Sequence, residues 1–143
     1  MNSIQDIQEE IVNEFTVFDD WMDRYNYLID LAKDLPVIDP KYKNNDYVIR
    51  GCQSKVWLNA EYKNGKIYFT ADSDAIITKG IISLLIRVLS NRTPQEIMNT
   101  NLEFIEKIGL RQNLSPTRAN GLMSMIKQMK LYAIAFNARE QKN

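Results

Sequence analysis

The chain has 143 residues, of which 45% are hydrophobic, and its formal net charge at neutral pH is zero. This size predicts one globular domain with its own core, residues 1–143. The chain has no histidine and a single cysteine, Cys52. The composition therefore argues against an internal disulfide, a metal centre held by one chain, and the Cys–His pair of most thiol hydrolases.

Charge and hydropathy predict a soluble protein, and a single thiol fits the reducing cytoplasm, which is the expected location. No basic segment with an apolar run opens the chain, and the most apolar stretch, Ile76 to Leu89, is too short and too interrupted to span a bilayer. A neutral chain without basic clusters among stacking aromatics does not resemble a nucleic-acid-binding protein. Residues 1–48 nevertheless carry a net charge of −7 and the remainder +7. This polarity either orients a protein partner or is neutralised across the fold.

Two amphipathic helices are predicted at the start of the chain. Apolar side chains recur at helical spacing in two sets, first Ile4, Ile7, Ile11, Phe15 and Phe18, then Trp21, Tyr25, Leu28, Ala32 and Leu35. Asp19 or Asp20 is placed to cap the second helix, and Pro36 stops it. Residues 36–47 contain turn formers without a period and predict a surface loop.

The period then changes to that of a β-hairpin. Val56, Leu58, Ala60 and Tyr62 alternate with polar or larger residues, and Ile67, Phe69 and Ala71 alternate in the same way. Asn64-Gly65 between them is a strong signal for a two-residue turn. Tyr47–Arg50 is predicted to add a third strand, which places residues 51–54 in a loop between strands. We therefore expect an α+β fold with a small antiparallel sheet of about three strands packed against helices.

The remainder of the chain is predicted to be helical. Ile77, Ile81, Leu84 and Val88 form one stripe, and Gly80 within it marks a place where another element approaches closely. Thr93-Pro94-Gln95-Glu96 fits a capping box, a helix over Leu102–Ile108 is expected to end at Gly109, and Ser115-Pro116 opens the last helix. The stripe of that last helix is Leu122, Ile126, Met129, Ala133 and Phe136.

Cys52 is the main candidate for chemistry. It lies between Gly51 and the small polar residues Gln53 and Ser54, an arrangement that favours access over packing. A thiolate attacks a persulfide, a disulfide or an electrophilic carbon, and nearby Arg50 and Lys55 would favour that ionised form. The alternative is a small packed hydrophobe, which is the commoner role of a lone cysteine.

Three further charged residues are weighed for a role. Asp72 and Asp74 are two residues apart, so on a helix they do not face each other, and one of them is expected to cap the following helix. Arg118 falls in the first turn of the last helix, where a positive charge opposes the helix dipole. Either it is a solvated side chain, or its planar guanidinium binds an anion or a partner's carboxylate.

The residues around Cys52 resemble a known family. Gly51-Cys52-Gln53-Ser54-Lys55-Val56-Trp57 is similar to the GCQSxVW motif of the SufE family of sulfur-acceptor proteins. The resemblance continues through Tyr25-Asn26-Tyr27-Leu28-Ile29, Leu35-Pro36, Asp72-Ser73-Asp74-Ala75, Lys79-Gly80, Thr93-Pro94, Leu114-Ser115-Pro116-Thr117-Arg118 and Gly121-Leu122. It spans nearly the whole chain. One departure is Asn113, where the family often has histidine before the LSP segment.

The resemblance implies a specific function. A SufE-like protein accepts sulfur from the persulfide of a PLP-dependent cysteine desulfurase of the SufS type, stimulates that enzyme, and passes the sulfur to a SufB-type scaffold complex. Cys52 would be the acceptor, with Gly51, Gln53, Ser54, Asp74 and Arg118 shaping the loop or contacting the partner. The chain itself would need no cofactor, because the PLP belongs to the desulfurase. It would be a persulfide carrier and activator, not a stand-alone enzyme.

Two alternatives to this function remain, and a third, a cluster scaffold, is excluded for the monomer. The fold implied by the resemblance is shared with IscU-type cluster scaffolds, but those use several cysteine ligands and this chain has one. A CsdE-type protein would serve a different desulfurase, CsdA, by the same chemistry. A non-acceptor activator would stimulate a desulfurase allosterically while Cys52 is merely packed. Monomer and homodimer are both open, and Cys52 is expected to be sheltered at rest and presented by a shift of its loop.

Overall fold

The computed structural model describes residues 2–142, with side chains described up to residue 140. The helices are α1 Ile4–Thr16, α2 Trp21–Leu31, α3 Ile76–Leu89, α4 Pro94–Asn99, α5 Phe104–Lys107, α6 Leu110–Asn113 and α7 Pro116–Lys142. The strands are β1 Val56–Lys63 and β2 Lys66–Ser73, and short 3-10 turns occupy Ala32–Asp34 and Pro40–Tyr42. The α+β class predicted from the sequence is confirmed.

Side-chain caps fix where the first two helices begin. Ser3 and Asp6 form a reciprocal capping box at the start of α1. Asp20 caps α2, because its carboxylate accepts from the Met22 N–H at 2.9 Å. Each cap satisfies backbone donors that the first turn leaves without an intrahelical partner. Of the two aspartates predicted as the cap of α2, the structure selects Asp20.

The sheet is a two-stranded hairpin. β1 pairs antiparallel with β2 from Val56↔Ser73 to Lys63↔Lys66, and the turn residues Asn64 and Gly65 both have positive φ, 52° and 80°. Positive φ at both positions is the requirement of a type I′ turn, so the predicted hairpin is confirmed.

The expected third strand is wrong within the residues that the structure describes. The Tyr47–Arg50 segment makes a single bridge, Val48↔Trp57, with hydrogen bonds from Ile49 N to Val56 O at 2.8 Å and from Leu58 N to Tyr47 O at 2.9 Å. A turn bond from Tyr47 N to Asn44 O precedes this segment, and Gly51 with φ 93° follows it. The segment is therefore too short to extend the ladder.

Helix α3 forms the centre of the core. Nearly all its side chains are buried, and it contacts β2, α2, α1 and α7. Gly80 allows one of these approaches, because a Cβ there would clash with the Leu28 carbonyl oxygen of α2. The close approach predicted at this glycine is confirmed. The largest fully buried side chains among the described residues include Phe15, Phe69, Phe104, Ile11, Leu28, Ile38 and Leu58.

The helix predicted over Leu102–Ile108 is present as the shorter α5, and Gly109 follows its end as predicted. α5 and α6 are separated by Gly109, whose φ of 77° ends the first of them. The capping box at Thr93 is present, with Glu96 N donating to Thr93 Oγ1 at 3.2 Å. No helix among the described residues is both long enough and apolar enough to cross a membrane.

Candidate functional site

The Cys52 loop connects the bridged Tyr47–Arg50 segment to β1. Gly51 takes a φ of 93°, which L side chains rarely adopt, and it turns the chain toward α7. Gly51 and Gln53 are exposed, whereas Cys52 and Ser54 are half-buried. The predicted loop between extended segments is therefore present, but its cysteine is partly withdrawn from solvent.

Two small residues of α7 receive this loop. A Cβ at Gly51 would come to 2.5 Å from Ser124 Oγ, so a side chain there would require the Ser124 hydroxyl to move, in addition to the strain of the positive φ. One turn earlier on the helix, Cys52 Sγ lies 3.7 Å from the carbonyl oxygen of Gly121, to which the thiol donates a weak hydrogen bond. A Cβ at Gly121 would lie 3.5 Å from the same sulfur. The loop and the helix thus meet through small groups, with a glycine on one side of each contact.

The sulfur borders a small cavity of about 40 Å³. Its walls are Cys52, Gln53, Ser54, Thr78, Ile81, Thr117, Arg118, Gly121 and Met125. This volume exceeds the roughly 10–15 Å³ that a water molecule needs, so the cavity has room for about one additional atom of sulfur size. Four residues singled out from the sequence, namely Cys52, Gln53, Ser54 and Arg118, are therefore brought together here.

The electrostatics at Cys52 favour the neutral thiol. Burial raises the pKa of the Cys52 thiol, because the charged thiolate loses hydration in this position. Arg50 and Lys55, which were expected to favour the thiolate, do not line the cavity and do not outweigh burial. A thiol with a raised pKa carries less thiolate at neutral pH than a fully solvated thiol, and it is correspondingly less reactive.

Asp74 acts on the loop and not on the helix that follows. Its carboxylate accepts the Lys55 main-chain N–H at 3.0 Å, and Ser73 Oγ donates to the Lys55 carbonyl at 2.8 Å. The residue at the N-cap of α3 is Ala75, which makes no side-chain capping bond, so the predicted aspartate cap is wrong. Asp74 is exposed and lies outside the cavity wall. Its role is to fasten the end of the loop.

Asp72 takes part in a separate surface cluster. It pairs with Lys43 at 2.9 Å and with Lys79 at 3.4 Å, and it accepts from the Ser73 N–H. Partial burial alone would raise the pKa of Asp72, but the hydrogen bonds from Lys43 and Ser73 and the two ammonium charges outweigh it and hold this pKa below its usual value. Neither cation contacts Cys52, so this cluster is structural.

Arg118 lies beside the cavity in the first turn of α7. Its main-chain N–H donates to Ser115 Oγ at 3.3 Å, which ties the helix start as the sequence predicted. Its side chain is exposed and makes no ion pair among the described residues. The site therefore has one exposed guanidinium in the wall of the cavity that Cys52 also lines.

Asn113 has only a local contact. Its side chain donates to the Gly109 carbonyl at 2.8 Å, and it is absent from the cavity wall. Asn113 therefore lies outside this site. Sequence reasoning gave no site role to the other residues of the cavity wall, although two of them, Thr117 and Gly121, lie in segments that carry the resemblance. These residues are Thr78, Ile81, Thr117, Gly121 and Met125.

Comparison with known proteins identifies the family. The family described as "SufE: Fe-S metabolism associated domain" matches residues 9–133. An uncharacterized SufE-like protein of Rhizobium etli is 36% identical over 127 residues, covering 85% of this chain and 86% of the relative. One from Synechocystis is 38% identical over 127 residues, covering 89% and 80%. SufE-like protein 1 of Arabidopsis thaliana, named as chloroplastic/mitochondrial, is 33% identical over 136 residues, covering 94% of this chain and 37% of its own length.

A solved structure shares the fold. The solution structure of a hypothetical protein from Thermus thermophilus has a TM-score of 0.74 to this chain, covering 90% of this chain and 94% of that one, at 18% identity. The sequence relatives, together with the family match over most of the chain, confirm the resemblance read from the Gly51–Trp57 motif. The chain therefore belongs to the SufE family, a family of iron–sulfur metabolism and sulfur transfer.

Proposed function

We propose that this protein accepts sulfur onto Cys52 from the persulfide of a PLP-dependent cysteine desulfurase of the SufS type. The observation that carries the proposal is the setting of the thiol: a half-buried sulfur on a loop, bordered by a cavity of about 40 Å³. The thiol has access to a donor when the loop moves, and the added sulfur has a sheltered place when the loop returns. Sheltering protects a persulfide from other thiols and from oxidants.

The transfer step is a thiol–persulfide exchange. The Cys52 thiolate attacks the outer sulfur of the donor persulfide, and a new S–S bond forms as the donor's S–S bond breaks. The electron pair of the broken bond leaves with the inner sulfur of the donor, which takes up the proton that Cys52 released. The products are a Cys52 persulfide and the free thiol of the donor. No oxidant or reductant is consumed, and no histidine base or metal of this chain takes part.

Downstream, the Cys52 persulfide would pass its outer sulfur to a SufB-type scaffold complex. Removing sulfur from the donor would also stimulate the desulfurase, because it frees the donor cysteine for the next turnover. We assign this exchange to the cytoplasm, with no cofactor bound to this chain, no nucleic-acid or membrane partner, and a homodimer as one available assembly. A CsdE-type protein serving a CsdA-like desulfurase would follow the same chemistry with a different donor.

Intact-protein mass spectrometry tests the acceptor role. The protein is incubated with a cysteine desulfurase and cysteine in the absence of reductant. We expect a mass gain of one sulfur atom that a reducing thiol reverses and that Cys52→Ser lacks. Stimulation of the desulfurase without any mass gain, retained in Cys52→Ser, would instead establish a non-acceptor allosteric activator.

The need for loop movement has its own test. Alkylation of Cys52 is followed with and without the desulfurase, using a desulfurase variant that lacks its own donor cysteine so that no sulfur is transferred. We expect slow labelling of the protein alone and faster labelling when the loop is drawn out by the partner. Labelling that is slow in both cases would contradict the gating but would leave the acceptor chemistry standing.

A further inference from the structure

A second cleft lies on the other side of the Cys52 loop. It runs between the segment that leads into the loop and the face of α7, and its volume is about 550 Å³. Asp46, Val48 and Arg50 line one wall, and Ser124, Lys127 and Leu131 line the other. We call this cleft the edge groove. Its size is in the range of sites that bind a ligand or a peptide segment.

The wall formed by the segment has an unpaired main chain. Hydrogen bonds to β1 use Ile49 N and Tyr47 O, the residues on either side of Val48. Val48 and Trp57 therefore form a non-hydrogen-bonded antiparallel pair, in which the N–H and C=O of Val48 point away from β1. Neither group has a hydrogen-bond partner among the described residues. Val48 is half-buried at the groove. An unpaired extended edge of this kind accepts an added strand.

The charges and apolar surface of the groove indicate what would bind there. Arg50 and Lys127 are exposed and make no ion pair among the described residues. The residues that line the groove thus include two cations and one carboxylate, Asp46, so the groove carries a net positive charge. Leu131 is 45% exposed, although it is a large hydrophobic side chain. An extended segment with carboxylates on one side and apolar side chains on the other complements both features.

We propose that the edge groove binds an extended acidic segment of a partner protein, which pairs as a strand with Val48 and places its carboxylates near Arg50 and Lys127. The apolar side chains of the segment pack on Leu131. Gly51 and Ser124 separate the groove from Cys52, so a bound segment would lie directly beside the loop. This inference does not rest on sulfur transfer, since the binding needs no reaction at Cys52.

Binding is tested with the full chain and two fluorescein-labelled peptides. One alternates glutamate and valine, and the other alternates lysine and valine. We expect anisotropy to show saturable binding of the acidic peptide, weakened by salt, and at least about 5-fold weaker binding of the basic peptide. In the complex, amide hydrogen exchange measured by NMR should slow at Val48 by at least about 10-fold, because its N–H becomes paired.

Variants separate the strand pairing from the charge. Val48→Pro removes the outward N–H but leaves both bonds to β1, and we expect roughly 3- to 10-fold weaker binding. Lys127→Glu should weaken binding at least about 5-fold, and Lys33→Glu, an exposed control outside the groove, by less than about 2-fold. No binding up to about 1 mM acidic peptide would overturn the proposal. So would binding in Lys127→Glu equal to that of the unchanged protein, or an unprotected Val48 amide in the complex.

Discussion

The Lys55 main-chain N–H donates to the Asp74 carboxylate at 3.0 Å. This bond joins the last residue before β1 to the residues that lead into α3, so the far end of the Cys52 loop is fastened to the core. At the near end, Gly51 lies against Ser124 of α7. The loop is therefore held at both ends, and the mobility of its sulfur depends on contacts that can be changed one at a time.

Removing the Asp74 carboxylate should loosen the loop without unfolding the protein. Asp74→Ala leaves the exposed Lys55 N–H to water, so we expect a loss of about 0.5–1.5 kcal/mol in the free energy of unfolding. Alkylation of Cys52 should accelerate on the order of 3- to 10-fold, because the loop opens locally more often. Asp72→Ala is the matched control, since that carboxylate pairs with Lys43 and Lys79 and not with the loop. Equal acceleration in both variants would contradict this role of Asp74.

The size of residue 121 should determine where the sulfur rests. Gly121→Ala adds a Cβ 3.5 Å from Cys52 Sγ, an ordinary contact, so we expect a folded protein whose labelling rate changes less than about 2-fold. Gly121→Val adds two further methyl groups at the contact between α7 and the Cys52 loop. We expect these to displace the loop, so labelling should rise at least about 10-fold. A valine variant that is as folded and as slowly labelled as the alanine variant would show that the helix does not seat the thiol.

Labelling of Cys52 should have a shifted pH profile. Because burial raises the pKa of the Cys52 thiol, the midpoint of the alkylation rate should lie at higher pH in the folded protein than in urea. The raised pKa also favours the fold while the thiol is protonated. That contribution is complete below the ordinary thiol pKa of about 8.5 and is lost as pH rises through the folded value. Cys52→Ala should therefore lose less stability than the unchanged protein over this alkaline window.

A half-buried ion pair should control stability in acid. Arg87 Nη1 donates to Glu14 at 2.9 Å, and the Tyr27 hydroxyl donates to the same carboxylate at 2.6 Å. The hydrogen bond from Arg87 is the main cause that lowers the pKa of Glu14, against the effect of burial. Glu14→Gln should cost about 1–3 kcal/mol at neutral pH.

The sign of the acid dependence follows from the lowered pKa. The contribution of Glu14 is present above its unfolded pKa of about 4.3 and is lost as pH falls through the folded value. The difference between Glu14→Gln and the unchanged protein should thus shrink in acid, as measured by urea unfolding at several pH values. Glu10→Gln is the control, because Glu10 is half-exposed and meets Arg87 only at 3.3 Å. A pH-independent difference at Glu14 would argue against the ion pair.

Local patterns were sufficient for most of the fold. Helix caps and tight turns depend on bonds between residues a few positions apart, so the adjacent sequence is enough to predict them. Examples are the caps at Asp20 and Thr93 and the Asn64-Gly65 turn. The third strand was wrong because its extent depends on pairing with β1, where only Val48 finds a bridge partner. The number of paired residues is a tertiary property that alternation does not encode.

The site was predictable only in part for the same reason. Cys52 and its neighbours stand together in the sequence, but Thr78 and Ile81 reach the cavity from α3 and Gly121 from α7. The aspartate cap failed because Lys55, nineteen positions before Asp74 in the chain, takes that carboxylate. The prediction that Arg50 and Lys55 favour the thiolate was wrong for a similar reason. Both are close to Cys52 in the sequence, but burial is the main influence on the pKa of the Cys52 thiol and raises it.

Gly80 has a consequence for a part of the molecule that it does not touch. The absent side chain lets α3 lie directly on the Leu28 carbonyl of α2, so the depth of α3 in the core is set by contact between main chains. Thr78 and Ile81, which are near Gly80 on the same helix, form one wall of the cavity beside Cys52. A side chain at position 80 would clash with the Leu28 carbonyl, so α3 would have to shift, and Thr78 and Ile81 would shift with it. The volume of the cavity beside Cys52 therefore depends on Gly80, a residue that does not itself line the cavity.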